Sequence, residues 1–484
     1  YLVGDSTMAP NTGYGNALNN RIEGTAGGDV LFGGAGTDTT VGGAGNDIHW
    51  VDSFTDVITE SANGGTDDWM YADTTLLSGT FTLKANVEHG WLLGTGKLNL
   101  TGNSAGNQLW GNNDDNTLTG LAGNDSLYGG GGNDNVLCAD GNDKLDGGAN
   151  ADRMEGGGGN DTYYVNRGDG AGTQITTNED LVIDTGGTQD TVNTTTYTYT
   201  LGSGIENLTL INTGSSSSAH IGIGNSSNNV IRGNDIRNIL DGAAGNDKLY
   251  GGYGGDTLYG RAGNDILYNN NNLYGDFSTD NLFGGTGNDT YYILDNGSIT
   301  DGVTSELDTA TDDTNGGTDK VVFEGDRFNF DGHTLSANVE NLTLLGNANY
   351  GYGNALNNII DASAVYGDTW IYGDIARYGD AGNDTLIGNN YNNGLYGGAG
   401  ADTLKGGGGD DTLYGQAGND RMEGGLGDDD YWIDAAGDVI VEGANAYGTD
   451  YGIVMSDTSL TLTMAANLEN MYVFYGDEGA TGYT

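Results

Sequence analysis

The chain has 484 residues and a formal net charge of −53, because 68 Asp and Glu face only 15 Lys and Arg. Only 17% of the residues are charged, so bases are scarce rather than acids abundant. This excludes basic surfaces for nucleic acid or anionic lipid, and we expect neither partner. The 91 glycines and single proline exclude collagen and argue against long helices, since each helical glycine costs about 1 kcal/mol.

Other compositional features narrow the class further. The single cysteine, Cys138, cannot form an internal disulfide. No run of 18 apolar residues occurs, so we expect no membrane-spanning helix. The sequence starts at Tyr1 without a basic-then-apolar leader. Its two ends, 1–20 and 468–484, resemble the internal junction around 339–358. We therefore expect a processed product or an excerpt of a longer array.

A nine-residue unit, G-G-x-G-x-D-x-U-x with U a large apolar residue, recurs in four blocks. Its sixth position is a candidate metal ligand because a short acidic side chain there recurs in register. These aspartates are Asp29, Asp38 and Asp47; Asp125, Asp134, Asp143, Asp152 and Asp161; Asp247, Asp256, Asp265, Asp280 and Asp289; and Asp384, Asp402, Asp411, Asp420 and Asp429. Asn116, Asn238 and Asn393 stand at the same position in three further units.

A larger period encloses the nonapeptide blocks. Openings such as GNALNN precede the blocks, and an alternating strand with a marker glutamate follows them; these glutamates are Glu88, Glu206, Glu340 and Glu469. The sequence thus predicts four modules, at 1–101 (roll 24–51, strands 52–101), 102–221 (roll 111–165, strands 166–221), 222–352 (roll 233–293, strands 294–352) and 353–484 (roll 379–433, strands 434–484).

Each unit reads as a loop and a short strand, with position 8 facing inward and positions 7 and 9 outward. One buried leucine, worth about 2 kcal/mol, cannot offset the ordering of nine backbones at about 1–2 kcal/mol each. The loops offer carboxylates and carbonyls but no nitrogen or sulfur ligand, which suits Ca²⁺. If two units make one turn, loops stack every eighteen residues. Facing pairs are then Asp29/Asp47, Asp125/Asp143, Asp134/Asp152, Asp143/Asp161, Asp247/Asp265, Asp384/Asp402, Asp402/Asp420 and Asp411/Asp429.

These motifs resemble the RTX (repeats-in-toxin) family of secreted calcium-binding proteins, over about 20 units. The resemblance implies an all-β parallel β-roll, a β-solenoid of nonapeptide turns alternating with less regular β-strand segments. It also implies several Ca²⁺ ions held by loop aspartates and carbonyls, and type I secretion before folding outside the cell. Thr40 and His49 replace the apolar position in the first block, so Asp29/Asp47 is the weakest predicted pair. The insertion at 269–274 puts Asp280 in doubt.

Other motifs carry little chemistry. The GNSAG sequence around Ser104 matches the G-x-S-x-G hydrolase pattern but lacks a strand–turn–helix context. His49, His89, His220 and His333 show no zinc-binding spacing. We therefore expect no catalytic site. Aromatic residues recur at position 9, among them Tyr396 and Tyr414. They indicate either cross-strand packing or a ladder for polysaccharide.

Three functions remain open from the sequence. The first is a calcium-rigidified extracellular rod that self-associates end to end into a fibril, surface layer or biofilm matrix. The second is the non-catalytic calcium-folding and secretion region of a larger enzyme or toxin. The third is an adhesin that binds polysaccharide through its aromatic side chains.

Overall fold

The computed structural model describes residues 10–73, 78–165, 180–212, 219–269, 279–294, 309–311, 316–325, 331–367, 369–372, 382–442, 449–456 and 468–475. Residues 1–9 and 476–484, which belong to the two ends compared in the sequence analysis, lie outside the described residues. The same holds for residues 270–274 of the predicted insertion. All regular structure in the described part is β-strand, as the RTX resemblance implied. Among these residues there is no helix with the length and apolarity needed to cross a bilayer.

The chain divides into two compact units, 1–234 and 235–484. The first unit contains β1 (Asn11–Tyr14), β2 (Arg21–Glu23), β3 (Asp29–Phe32), β4 (Thr39–Val41), β5 (Ile48–Val51), β6 (Val57–Thr59), β7 (Trp69–Ala72), β8 (Ser78–Thr82), β9 (His89–Leu92), β10 (Lys97–Thr101), β11 (Gln108–Trp110), β12 (Thr117–Thr119), β13 (Ser126–Gly131), β14 (Asn135–Leu137), β15 (Lys144–Ala149), β16 (Arg153–Glu155), β17 (Thr162–Val165), β18 (Leu181–Ile183), β19 (Thr191–Thr194), β20 (Thr198–Thr200), β21 (Asn207–Leu210), β22 (His220–Ile223) and β23 (Val230–Arg232).

The second unit contains β24 (Asn238–Asp241), β25 (Lys248–Tyr250), β26 (Thr257–Ala262), β27 (Ile266–Tyr268), β28 (Asn281–Thr286), β29 (Thr290–Leu294), β30 (Thr309–Thr311), β31 (Lys320–Gly325), β32 (Asp331–Thr334), β33 (Asn341–Gly346), β34 (Ala348–Tyr352), β35 (Ile359–Asp361), β36 (Thr369–Tyr372), β37 (Thr385–Ile387), β38 (Asn393–Gly400), β39 (Thr403–Gly408), β40 (Thr412–Gly418), β41 (Arg421–Leu426), β42 (Asp430–Ile433), β43 (Val439–Ile440), β44 (Tyr451–Ser456) and β45 (Asn470–Tyr475).

Within each unit the strands form a parallel solenoid in which every second strand pairs. In the first unit the odd-numbered strands β1 to β23 form one sheet, and the even-numbered strands form separate shorter sheets, β2–β6, β8–β18 and β20–β22. In the second unit the odd-numbered strands β25 to β43 form one sheet. Opposite them lie the sheets β24–β30 and β32–β45. The parallel β-roll predicted from the repeat is thus confirmed.

Inside the nonapeptide blocks the register repeats every eighteen residues. Leu127 of β13 pairs with Leu145 of β15, and Leu404 of β39 pairs with Met422 of β41. Two nonapeptides therefore make one turn, as predicted. The strands between the blocks join the same sheets: β7 and β9 pair in parallel between β5 and β11. The four-module division itself remains a prediction.

In the nonapeptide units the core is one residue wide on each strand. The large apolar residue at position 8 is fully buried in the regular units: Leu31, Leu118, Leu127, Val136, Leu145, Met154, Leu240, Leu249, Leu258, Leu267, Leu386, Leu395, Leu404, Leu413 and Met422 are all 0% exposed. Strand alternation places the flanking positions 7 and 9 outward. Because the core is this thin, most of the interior is made by the loops at its two edges.

Position-9 aromatics stack along the outer faces. Rings of Tyr250, Tyr268 and Tyr292 lie at centroid distances of 4.5 Å with interplanar angles of 6° and 11°. Tyr414 contacts Trp432 at 5.9 Å. Cross-strand packing of this kind is worth roughly 0.5–1.5 kcal/mol per pair beyond area burial. The packing interpretation of the aromatic pattern is therefore observed, while polysaccharide binding remains a prediction.

Two leucines six residues apart should respond to mutation in opposite directions. Leu127 is fully buried, so Leu127→Ala should lower the free energy of unfolding by about 2–5 kcal/mol. Leu121 is 41% exposed and has a φ of 82°, which disfavours L side chains. Leu121→Gly should therefore raise stability by up to about 1 kcal/mol, because relief of strain exceeds the added chain entropy.

Calorimetry of both variants in saturating calcium measures these effects. A Leu121→Gly variant that melts below the unmodified chain would contradict the strained turn. A Leu127→Ala variant with an unchanged melting temperature would contradict the single-residue core.

Candidate metal centre

All eighteen predicted ligand aspartates lie in the turns at the edges of the roll. Each is no more than 2% exposed. A carboxylate is rarely buried to this extent without a compensating partner. The predicted acidic groups are therefore buried in the turns, including Asp280, which was in doubt and is 2% exposed, and their role as metal ligands remains a prediction.

The structure brings together all eight predicted pairs, and a specific hydrogen bond joins them. The backbone N–H of Asp125 donates to Oδ1 of Asp143 at 2.7 Å, and the N–H of Asp143 donates to Oδ1 of Asp161 at 2.8 Å. The same bond joins the other pairs at 2.7–2.9 Å. It also adds Asp280, whose Oδ1 accepts from the N–H of Asp256 at 2.7 Å. Within each block, the aspartates along one edge therefore form a row of hydrogen-bonded carboxylates, which we call a carboxylate ladder.

The second oxygen, Oδ2, of many of these carboxylates has no hydrogen-bond partner among the described residues. Oδ2 is buried and has no hydrogen-bond partner among the described residues in Asp38, Asp47, Asp125, Asp134, Asp143, Asp161, Asp265, Asp411, Asp420 and Asp429. An unsatisfied buried carboxylate oxygen costs several kcal/mol unless a charge compensates it. In these ten residues the ladder thus satisfies Oδ1 and leaves Oδ2 facing the turn.

The glycine at position 1 of each unit forms the floor of the space that this oxygen faces. A Cβ added at Gly129 would overlap both Oδ2 of Asp134 and the carbonyl oxygen of Gly147, one turn further on. A Cβ at Gly260 would overlap Oδ2 of Asp265 and the carbonyl oxygen of Gly284. Carboxylate and carbonyl oxygens therefore converge on a point where only glycine leaves room. Such an oxygen-only donor set fits Ca²⁺.

Burial also makes these carboxylates poor acids in the folded chain. It raises the pKa of Asp125 and Asp143 to about 6, although the N–H donated to each carboxylate opposes the shift. The pKa of Asp134 is raised to about 7 and that of Asp411 to about 8 by the same cause. Close to neutral pH, the charged ladder is therefore strained unless a cation is bound.

Each ladder starts with asparagine, for a chemical reason. Asn116 donates its N–H to Oδ1 of Asp134, while its own Oδ1 accepts from the N–H of Asn112 and its Nδ2 donates to the carbonyl of Leu98. The neutral amide thus satisfies in its own turn the groups that a carboxylate would leave open. The openings recognised in the sequence, GNALNN and GNSSNN, end on such residues: Asn20, Asn229 and Asn358.

Several ladders end on the marker glutamates, whose role the sequence did not reveal. The N–H groups of Asp68, Asp190, Asp319 and Asp450 donate to Oε2 of Glu88, Glu206, Glu340 and Glu469 at 2.7–3.1 Å. These aspartates come from the Gly-Thr-Asp-like turns after each block. The sequence showed that a glutamate recurs about twenty residues after each of these turns. It did not show the hydrogen bond that this glutamate accepts.

The pair Asp29/Asp47 stacks like the others despite Thr40 and His49. Asp29 differs for another reason, because its Oδ2 accepts from the N–H and the hydroxyl of Thr25 at 2.5 and 3.0 Å. His49 and Thr40 bond each other inside the roll at 2.8 Å. Polar residues at position 8 are thus accommodated by pairing, and only Asp47 offers an open oxygen in this pair.

Acidic residues outside the nonapeptide join the ladder at the end of three blocks. They form the groups Asp47, Glu60 and Asp68; Asp161, Asp184 and Asp190; and Asp429, Glu442 and Asp450. One carboxylate oxygen of each member lies within 4.8 Å of those of the other two. The sequence analysis missed the second and third members. A D-[VL]-[IV]-x-[ED] pattern at 56–60, 180–184 and 438–442 could have indicated them.

Comparison with known families agrees with this geometry. The RTX calcium-binding nonapeptide repeat matches residues 14–48, 101–136, 139–170, 223–252, 232–267, 268–291, 378–413 and 396–431. The chain is an RTX β-roll protein. A search of the curated proteins found no match. RTX nonapeptide repeats bind Ca²⁺ and are typical of secreted proteins. In this RTX protein, the open Oδ2 atoms and glycine carbonyls are the groups that would hold the ion.

Loss of one ladder carboxylate should weaken calcium-dependent folding. Asp143 belongs to two pairs, so Asp143→Asn should weaken the affected sites roughly tenfold or more, and the calcium midpoint of the strand signal in circular dichroism should rise. Asp140→Asn is the matched control, because Asp140 lies three residues away and is exposed. Equal midpoints for the two variants would exclude Asp143 as a ligand.

Calcium removal should be reversed in part by acid. The pKa of Asp125, Asp134 and Asp411 rises from the ordinary value of 3.8 to about 6, 7 and 8 in the roll, so the folded state binds more protons. Stability in chelator should thus be greatest at low pH and be lost as pH rises through about 6–8.

Circular dichroism in EGTA between pH 8 and pH 5 tests this, above the isoelectric point of about 4.1. Strand signal should increase as pH falls. A signal independent of pH would contradict the buried-carboxylate account. Full strand content in EGTA at pH 8 would contradict calcium-dependent folding itself.

Proposed function

We propose that this chain is a non-catalytic structural protein that acts outside the cell as a calcium-rigidified rod and joins end to end with further copies of itself. The proposal rests on one observation, which is how the solenoid continues across its internal junctions. Calcium supplies the rigidity and the junction supplies the polymer contact. Extracellular calcium modules work at about 10⁻⁴–10⁻³ M, so the rod would form only after secretion.

Three internal junctions use the same backbone contact. The first residue of the strand that follows each opening donates its N–H to the carbonyl of the preceding marker glutamate. These bonds are Gln108 to Glu88 at 3.0 Å, Val230 to Glu206 at 2.9 Å and Ile359 to Glu340 at 3.1 Å. Parallel pairing follows from them, for example between β33 and β35.

The two halves of a fourth such junction lie at opposite ends of the described sequence. β2 follows the opening GNALNN at 15–20, as β35 follows GNALNN at 353–358. β45 follows Glu469, as β33 follows Glu340. Among the described residues β2 pairs only with β4, and β45 pairs only with β44. A second copy could therefore supply the missing partner of each strand.

The free side of β2 carries the required donor. The carbonyl of Asn20 and the N–H of Gly24 both bond to the neighbouring strand β4. Because backbone groups alternate along a strand, the N–H of Arg21 points to the other side. By analogy with Ile359, it would donate to the carbonyl of Glu469 in the next copy. Exposed edge strands are known templates for such pairing.

Exposed apolar side chains lie on β45 and on β1, the strand that precedes β2. Tyr14 of β1 is 75% exposed, and Tyr472 and Val473 of β45 are 51% and 54% exposed. Elsewhere in the roll such residues lie between two turns, as Phe32 lies between Tyr14 at 4.8 Å and Trp50 at 5.1 Å. A heterologous contact of this kind does not close on itself and yields a filament.

A single backbone donor tests the polymer contact. Arg21→Pro removes the N–H at the first residue of β2, where proline is tolerated within the strand. Arg21→Ala removes the same charged side chain and keeps the N–H. In millimolar calcium, light scattering and electron microscopy should show filaments for the unmodified chain and for Arg21→Ala, but monomers for Arg21→Pro.

Circular dichroism in calcium should show that all three proteins fold. Monomers of the unmodified chain would contradict end-to-end assembly and favour a folding and secretion region of a larger protein. Filaments from Arg21→Pro would show that another surface makes the contact.

A further inference from the structure

We infer that the three-carboxylate groups at the ends of the nonapeptide blocks are a second class of calcium site, tighter than the repeat sites and filled before them. We call them the end sites: Asp47, Glu60 and Asp68; Asp161, Asp184 and Asp190; and Asp429, Glu442 and Asp450. Two of the three residues in each come from outside the nonapeptide. The RTX repeat matches end at or before 48, 170 and 431 and so include neither.

The end sites are built where a sheet stops. Glu60 directly follows β6, and Asp184 directly follows β18, which are the last strands of their sheets. Glu442 follows β43, the last strand of the odd-numbered sheet in the second unit. At the point where the next nonapeptide would begin with glycine, the chain carries an acid instead: Glu60 lies eighteen residues after Gly42, and Glu442 lies eighteen residues after Gly424. The acid therefore stands where a repeat site has the glycine whose carbonyl oxygen faces the carboxylate.

In the first end site the third acid takes the place of that carbonyl. Inside the first block, a Cβ at Gly24 would meet the carbonyl oxygen of Gly42 and Oδ2 of Asp29. At the last turn, a Cβ at Gly42 would instead meet Oε1 of Glu60 and Oδ2 of Asp47. In this site a neutral dipole is thus replaced by a carboxylate, whereas at Gly156 and Gly424 the equivalent point is taken by the hydroxyls of Tyr163 and Tyr431. Each end site therefore combines three carboxylates where a repeat site combines two.

These carboxylates are buried and incompletely satisfied. All nine are at least 91% buried. Oδ2 of Asp47, Oε2 of Glu60 and Oδ2 of Asp68 have no hydrogen-bond partner among the described residues, and neither do Oδ2 of Asp161 and Oδ2 of Asp190. Three buried carboxylates whose ligand oxygens lie within 4.8 Å of one another require a cation. These open oxygens point to a bound cation independently of the clustering of the carboxylates.

Buried neighbours fix the orientation of the third acid. Nε2 of His49 lies 2.6 Å from Oε1 of Glu60, which leaves Oε2 open. In the second site the hydroxyl of Tyr163 donates to Oδ2 of Asp184 at 2.6 Å and accepts from the N–H of Gly156 at 2.9 Å. Tyr431 accepts in the same way from Gly424 at 2.7 Å. Ligand carboxylates held by such contacts bind metals more tightly than free ones.

Charge then sets the order of filling. Calcium affinity rises with the number of charged ligands and with the rigidity of the site. The end sites exceed the repeat sites in both respects. They would therefore bind first and fix the last turn of a block, from which the remaining turns could order one after another. The sequence places Asp312 at the equivalent point between Asp289 and Asp319, but Asp312 lies outside the described residues.

Calcium binding to the full chain tests this inference. Equilibrium dialysis with radioactive calcium at pH 7.5 should show a tight class of at least three ions and a weaker class that fills later. Glu60→Gln should remove one ion from the tight class by weakening it roughly tenfold or more. The combined variant Glu60→Gln, Asp184→Asn and Glu442→Gln should remove three.

Two controls separate the end sites from general charge effects. Glu423→Gln changes a half-exposed glutamate that pairs with Arg421, and should leave both classes unchanged. Asp134→Asn changes a ladder aspartate whose neighbours, Asn116 and Asp152, belong to no end site, and should reduce the weak class only. Circular dichroism at high calcium confirms folding, and if the combined variant does not fold, the single variants and the stoichiometry of the unmodified chain decide.

A single class of ions in the unmodified chain would overturn the inference. So would a tight class that survives in the combined variant. Neither result depends on filament formation, because binding is measured whether or not Arg21 joins copies together.

Discussion

The structure depends on a carboxylate that is only half satisfied. At each turn Oδ1 accepts the N–H of an aspartate eighteen residues earlier, and this bond sets the spacing and register of the roll. In Asp125, Asp143 and eight other ladder aspartates, the same bond leaves Oδ2 buried without a hydrogen-bond donor among the described residues. Strand pairing and the need for a cation therefore have one origin. A chain with 15 basic residues in 484 has no internal supply of cations for a ladder of this length.

The hydrophobic core explains why the cation matters so much. Each strand of the regular units buries one large apolar side chain, such as Leu127 or Leu404, and strand alternation sends its neighbours outward. Large globular domains bury far more apolar area for each ordered residue. Stacked rings, such as those of Tyr250 and Tyr268, add packing outside the core. The stacked rings do not compensate the buried charge of the carboxylates. The turns that hold these carboxylates therefore decide whether the chain is folded.

The periodic part of this molecule could be predicted from sequence, and the aperiodic part could not. The position-8 core and all eight aspartate pairs followed from a strict nine-residue period, since period fixes which residues stack. The direction of the Asp N–H to Oδ1 bond did not follow, because it depends on turn geometry. Glu60, Asp184 and Glu442 were missed because each lies 13 to 23 residues beyond the last ladder aspartate of its block, at a distance that varies with loop length.

Where the nine-residue period breaks, at the first and last turns of a block, side chains other than aspartate complete the ladder. Asn116 begins a ladder because its amide satisfies both faces of a first turn, and Glu88 ends one because a longer side chain reaches the N–H of Asp68. At the last turn, Glu60 replaces a lost carbonyl with a charge. A repeat needs such terminal devices because its first and last turns each lack a neighbour. Where an acid from the same chain replaces the missing neighbour, we infer that the turn closes on calcium. Where the missing neighbour leaves a strand edge open, as in β2 and β45, we propose that another copy completes the sheet.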